Sequence, residues 1–111
     1  MEFIPIEKEL IPYDFSVELG GEEYSLEVRY NEVHKFFTLD LLKNEQLIVT
    51  GDKLLYGKKM FEESYSPKTH PPVTLMALDM AGHETTVTWA NLGETVFLYL
   101  LNSDEAVSAN G

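Results

Sequence analysis

The stretch Tyr13-Asp14-Phe15-Ser16-Val17-Glu18-Leu19-Gly20-Gly21-Glu22-Glu23-Tyr24-Ser25-Leu26-Glu27-Val28-Arg29-Tyr30 decides the fold class. Phe15, Val17 and Leu19 alternate with polar residues, Gly20-Gly21 breaks the run, and the alternation resumes at Tyr24, Leu26, Val28 and Tyr30. Side chains along a strand point to opposite faces of a sheet in turn, so period-2 alternation predicts half-buried strands. Gly20-Gly21 suits the positive φ values of a tight hairpin turn. Outward from this hairpin, Asn31-Glu32-Val33-His34 turns the chain into a second pair. Its strands run from Phe36 to Leu42 and from Leu47 to Thr50, joined across Lys43-Asn44-Glu45-Gln46, with Gly51 as a breaker.

Towards the N-terminus, Phe3-Ile4-Pro5-Ile6 predicts a short extended segment. Proline removes a ladder donor, so this is an edge strand or a clamp onto another surface. Towards the C-terminus, Lys58 to Tyr65 has no clean period and predicts one helical turn or an irregular crossover. Pro67, Pro71 and Pro72 within Ser66 to Val73 predict a loop, because each proline removes a donor and restricts its predecessor. Val73 to Met80 predicts a strand apolar on both sides: Val73, Leu75 and Ala77 face one way, Met76, Leu78 and Met80 the other. Asn91-Leu92-Gly93-Glu94 turns into a last strand, Thr95 to Leu101, also apolar on both sides.

This pattern predicts an all-β chain: a small antiparallel β-barrel or sandwich of about six to seven strands built from consecutive hairpins. Residues 1–101 form a single β domain, and residues 102–111, small and polar, form a flexible C-terminal tail. A chain of 111 residues buries roughly 65% of its unfolded surface, enough for one core without staples. There is no cysteine, which excludes a disulfide scaffold, a zinc-thiolate site and a cysteine nucleophile. No apolar run approaches the ~20 residues needed to span a bilayer, and Met1 to Ile6 lacks the pattern of a signal peptide. The protein is expected in the cytoplasm of its host when made.

The formal net charge is −11. Such a charge opposes phosphate backbones, whose affinity rests on Lys and Arg, and anionic membrane surfaces. It therefore predicts neither nucleic-acid nor membrane partners. No Lys or Arg follows Lys68, whereas Asp79, Glu84, Glu94, Asp104 and Glu105 do. An acidic surface keeps a protein soluble, and it also complements a basic protein partner.

No catalytic constellation emerges. His34, His70 and His83 lie in three different turns, without the short ligand spacing of a metal site. Glu22-Glu23 and Glu62-Glu63 are adjacent pairs, and neighbours along a strand point to opposite faces rather than forming a dyad. Asp14, Asp40, Asp52 and Asp79 do not match a calcium loop. Walker, dinucleotide-binding and nucleophile-elbow motifs are absent. Tyr13, Phe15, Tyr24, Tyr30, Phe36, Phe37, Trp89, Phe97 and Tyr99 could line a stacking surface for nucleic acid, but that function needs a basic groove. These aromatics fit core packing or a protein interface better. In so small a chain, strands apolar on both faces predict apolar surface that meets another protein. The candidate interface residues are Phe3, Ile4, Ile6, Met76, Leu78, Met80, Phe97 and Tyr99. Catalytic, metal and cofactor sites are not expected.

Several ordered elements resemble one family. Ile4-Pro5-Ile6, then Phe15 with Leu19-Gly20-Gly21 and Tyr24-Ser25-Leu26, then Tyr30-Asn31, look like the small baseplate plug proteins of contractile-tailed bacteriophages. The likeness continues through Phe36-Phe37-Thr38-Leu39-Asp40-Leu41, Thr50-Gly51 and Leu55-Tyr56-Gly57, and closes with Leu92-Gly93 before Val96-Phe97-Leu98-Tyr99-Leu100. The resemblance implies an all-β, non-enzymatic subunit at the centre of a phage or prophage tail baseplate. It also implies hub and spike proteins as partners, and a trimer through the three-fold symmetry common around a spike. The proline-rich loop Pro67 to Pro72 and the weakly patterned Glu62 to Ser66 depart from the pattern. The alternative from another class is a free-standing OB-like β-barrel module binding a peptide or small ligand.

Overall fold

The computed structural model describes residues 2–62 and 71–101. The proline-rich loop as far as His70, Glu63 and the C-terminal segment 102–111 lie outside the described residues. Seven strands are described: β1 (Phe3–Ile4), β2 (Tyr13–Leu19), β3 (Glu22–Asn31), β4 (Phe36–Lys43), β5 (Gln46–Lys53), β6 (Thr74–Leu78) and β7 (Phe97–Leu101). A 3-10 turn, Lys8–Leu10, links β1 to β2, and among the described residues no helix is long and apolar enough to cross a membrane.

The strands form two antiparallel sheets, β2-β3-β4-β5 and β1-β7-β6. The sheets do not close on one another, so the fold is a sandwich rather than a barrel. In the first hairpin Leu19 pairs Glu22 across Gly20-Gly21, and the register runs back to Tyr13 opposite Val28. Both glycines have positive φ, +61° and +87°, as a two-residue hairpin turn requires. Gly20 has a second reason to lack a side chain: a Cβ there would lie 2.3 Å from Cγ of Pro72.

Alternation places the core. Tyr24, Leu26 and Val28 from β3 and Phe37, Leu39 and Leu41 from β4 are buried against Ile4, Leu75, Ala77 and Leu98 of the smaller sheet. Each such large side chain contributes roughly 1.5–3 kcal/mol when taken out of water. Leu54, Met60, Phe61, Leu92 and Val96 complete the core from the connections.

Strand β5 runs through Gly51 rather than stopping at it. The ladder between β4 and β5 shifts register between Leu39 and Leu41, and Gly51 takes φ +65° there, the geometry of a bulge. Past β5 the described part of the crossover, as far as Glu62, approaches the smaller sheet irregularly rather than as a helix. Tyr56 bridges to Ala77 and Lys59 to Met76. Asp52 holds this crossover, accepting from Nζ of Lys58 at 2.9 Å and the Phe61 N–H at 2.7 Å. One seam of the sandwich is thereby bridged; the opposite seam, between β1 and β2, is not.

Two buried polar residues shape the last loop. The Asp79 carboxylate accepts the N–H groups of Ala81, His83 and Glu84 and ends the strand early. Burial alone would raise its pKa, but these three donors outweigh that effect and hold it below the ordinary 3.8. The Asn91 carbonyl accepts N–H groups from Glu94, Thr95 and Val96. The final strand therefore begins at Phe97, two residues later than its apolar run suggests.

Candidate functional site

The outer face of the smaller sheet carries most of the sequence-predicted interface residues. Antiparallel register sets Phe3 beside Tyr99 and Tyr99 beside Met76, while Phe97 stands beside Leu78. The rings of Phe3 and Phe97 are 4.7 Å apart, and each lies 6.2 Å from Tyr99. Pairs at these separations attract beyond their shared buried area. Phe3 is 44% exposed and Met80 56% exposed. Leu78 and Phe97 are half-buried, and Met76 and Tyr99 form the small cluster beneath them with Leu101. Ile4 and Ile6 sit differently. Ile4 is buried between the sheets, and Ile6 packs partly buried against the same core. The structure therefore brings Phe3, Met76, Leu78, Phe97 and Tyr99 onto one face and turns Ile4 inward.

A small cleft of about 110 Å³ adjoins this face, lined by Ile4, Pro5, Leu92 and Leu98 among others. Phe3, Ile4 and Pro5 also line a larger groove of about 540 Å³ along the open seam between β1 and β2. Glu2, Glu7, Asp14 and Glu18 rim that groove, and Leu10, Tyr13, Phe15 and Val17 line it. No Lys or Arg lines it among the described residues. Sequence reasoning missed this groove, because the alternation that puts Phe15 and Val17 inward does not reveal which strand is left at a sheet edge.

The chemistry-bearing residue types occupy structural positions. Among the described residues no group of three or more His, Cys, Asp or Glu side chains could hold a metal ion. Asp40, Asp52 and Asp79 are spent on backbone and lysine or arginine donors. Tyr30, Phe37 and Trp89 pack on one another, with Phe37 and Trp89 nearly parallel at 5.8 Å. Lys8 covers Trp89, with its ammonium 5.7 Å from the ring centroid and bonded to the Trp89 carbonyl. This cluster ties the 3-10 turn to the last loop.

A family model described as cyanophage baseplate Pam3 plug gp18 matches residues 1–104. No curated protein matches the chain. The match spans both sheets, the crossover and the apolar outer face, and on that extent the chain belongs to the phage baseplate plug family.

Proposed function

We propose that the protein is a non-enzymatic structural subunit at the centre of a phage tail baseplate, packed between hub and spike proteins. The reading is supported by membership of the plug family and by the apolar outer face of the β1-β7-β6 sheet. That face is the observation that carries it. Apolar side chains left partly in water, as Phe3, Phe97, Leu78 and Met80 are, are costly in a free monomer, and a partner that covers them removes that cost. Phe3, Phe97, Leu78 and Met80 are the docking residues, with Met76 and Tyr99 as their support and Ile4 and Ile6 anchoring the N-terminal segment from below. The acidic surface keeps the subunit soluble in the host cytoplasm until assembly, and three copies surround the spike axis.

The test is co-expression with the hub and spike proteins of the same phage, followed by purification and mass measurement. A stable complex carrying three copies, lost when Phe97 or Met80 is replaced by Glu, is the expected result. A monodisperse monomer that binds neither protein overturns the reading.

A further inference from the structure

We infer that the free edge of β2, together with the groove beside it, takes up an extended strand of another protein, apolar and basic in alternation. Among the described residues, strand β2 has one sheet neighbour, β3. Leu19 and Glu22 flank a two-residue turn, so they form a hydrogen-bonded pair, and so do 17 with 24, 15 with 26 and 13 with 28. The N–H and C=O groups of Asp14, Ser16 and Glu18 therefore point away from β3, along the open seam. That is the edge geometry to which an extended peptide adds as a strand.

The side chains state what the incoming strand must carry. Tyr13, Phe15 and Val17 face inward yet remain only partly buried, so apolar residues on the same face of the newcomer would complete their cover. Asp14 and Glu18 lie on the outer face, where Asp14 stands opposite Glu27 and Glu18 opposite Glu23. These are non-hydrogen-bonded pairs, in which side chains approach closest, and like charges placed so are destabilising. Arg29 relieves Glu27, but no described cation reaches Asp14, Glu18 or Glu23. Basic residues on an added strand would sit directly beside Asp14 and Glu18. The same charges exclude a second copy of this chain: two β2 edges side by side would set carboxylates against carboxylates, which is how edge strands avoid pairing with their own kind. With nineteen acidic residues to eight basic, the occupant is a different protein. The groove takes such a strand whether or not the Phe3–Met80 face docks on a hub.

The probe is the capped heptapeptide Val-Lys-Val-Lys-Val-Lys-Val, matched in length to β2 so that its lysines pair with Asp14, Ser16 and Glu18, titrated into the labelled full chain and followed by amide NMR. Saturable shifts centred on Asp14, Ser16 and Glu18 are expected, with at least about tenfold slower exchange of those three N–H groups. The heptapeptide with Glu for each Lys should not bind. Ser16→Pro removes an outward N–H, which an edge strand tolerates, and should abolish binding while β3–β5 shifts stay unchanged. If that variant fails to fold, Asp14→Asn with Glu18→Gln keeps the strand and should weaken binding about threefold to tenfold. The inference is overturned by no saturable shift up to ~1 mM peptide, by equal binding of the Glu peptide, or by shifts confined to the Phe3–Phe97 face.

Discussion

The Gly51 N–H donates to an Asp40 carboxylate oxygen at 2.7 Å, and this bond holds the bulge that lets β5 continue past its glycine. Asp40 is 5% exposed on a strand whose neighbours are apolar. Arg29 at 3.1 Å and the Thr50 hydroxyl at 3.3 Å supply its other partners.

Asp40→Ala leaves the Gly51 N–H and the Arg29 guanidinium without their acceptor. Loss of hydrogen bonds to a charged group predicts a destabilisation of about 1.5–3 kcal/mol, read from the urea midpoint. Asp40→Asn keeps an acceptor for Gly51 and should fall between that variant and the native chain. Equal midpoints for all three would remove the bulge from the account of β5.

The two glycines of the first turn separate strain from contact. Gly21→Ala meets open space and faces only its positive φ of +87°, a cost of about 1 kcal/mol. Gly20→Ala carries the same kind of backbone penalty and also drives a Cβ to 2.3 Å from Pro72. It should cost about 2–3 kcal/mol in total. The difference between the two denaturation curves isolates the approach of the turn to Pro72, and a Gly20→Ala/Pro72→Ala double variant should recover part of it.

Acid should loosen the last loop first. The folded pKa of Asp79 lies below its ordinary value of 3.8. The stability it contributes is therefore complete above about pH 4 and drains away as pH falls through the folded pKa. Thermal melts between pH 2 and pH 6 should show Asp79→Asn less stable at pH 6 and converging on the native chain at the acid end. Lys43 behaves oppositely. Its hydrogen bond to Glu22 raises its pKa above 10.5, so that contribution is present below pH 10.5 and lost at higher pH.

Met80→Glu divides assembly from folding. Met80 is 56% exposed, so the monomer should melt within about 0.5 kcal/mol of the native chain. Incorporation into baseplates, scored by electron microscopy of particles from a complemented deletion, should fall sharply. Leu75→Glu gives the contrast: Leu75 is 2% exposed in the main core, and that variant should fail to fold at all.

The two hairpins from Tyr13 to Thr50 were legible because their causes are local, whereas the continuation of β5 through Gly51 to Lys53 was not. Alternating side chains and two glycines at a turn act over a few residues. The two-sided reading of Val73 to Met80 was legible for the same reason: Leu75 and Ala77 enter the main core, while Met76 and Leu78 face out. Strand ends were less so, because Asp79 and Asn91 draw Asp79-Met80 and Thr95-Val96 into turns through bonds between residues a few places apart. Which residues share the outer face was legible in part. Phe3, Leu78, Phe97 and Tyr99 could be named from their apolar runs, but Ile4 could not be told from Phe3, since neighbours on a two-residue strand face opposite ways.

The chain's alternation and its turns are properties of the sequence itself, and they determined an all-β scaffold. Whether that scaffold closes was decided only in three dimensions. The crossover through Tyr56 and Lys59 bridges one seam by bonds to residues 17 to 21 positions away, and the two-residue β1, cut short at Pro5, reaches β7 without ever pairing with β2. Such long-range pairing depends on which edges the packed core leaves adjacent, and no local pattern encodes it. The open β2 edge, with Asp14 and Glu18 along it, is the consequence.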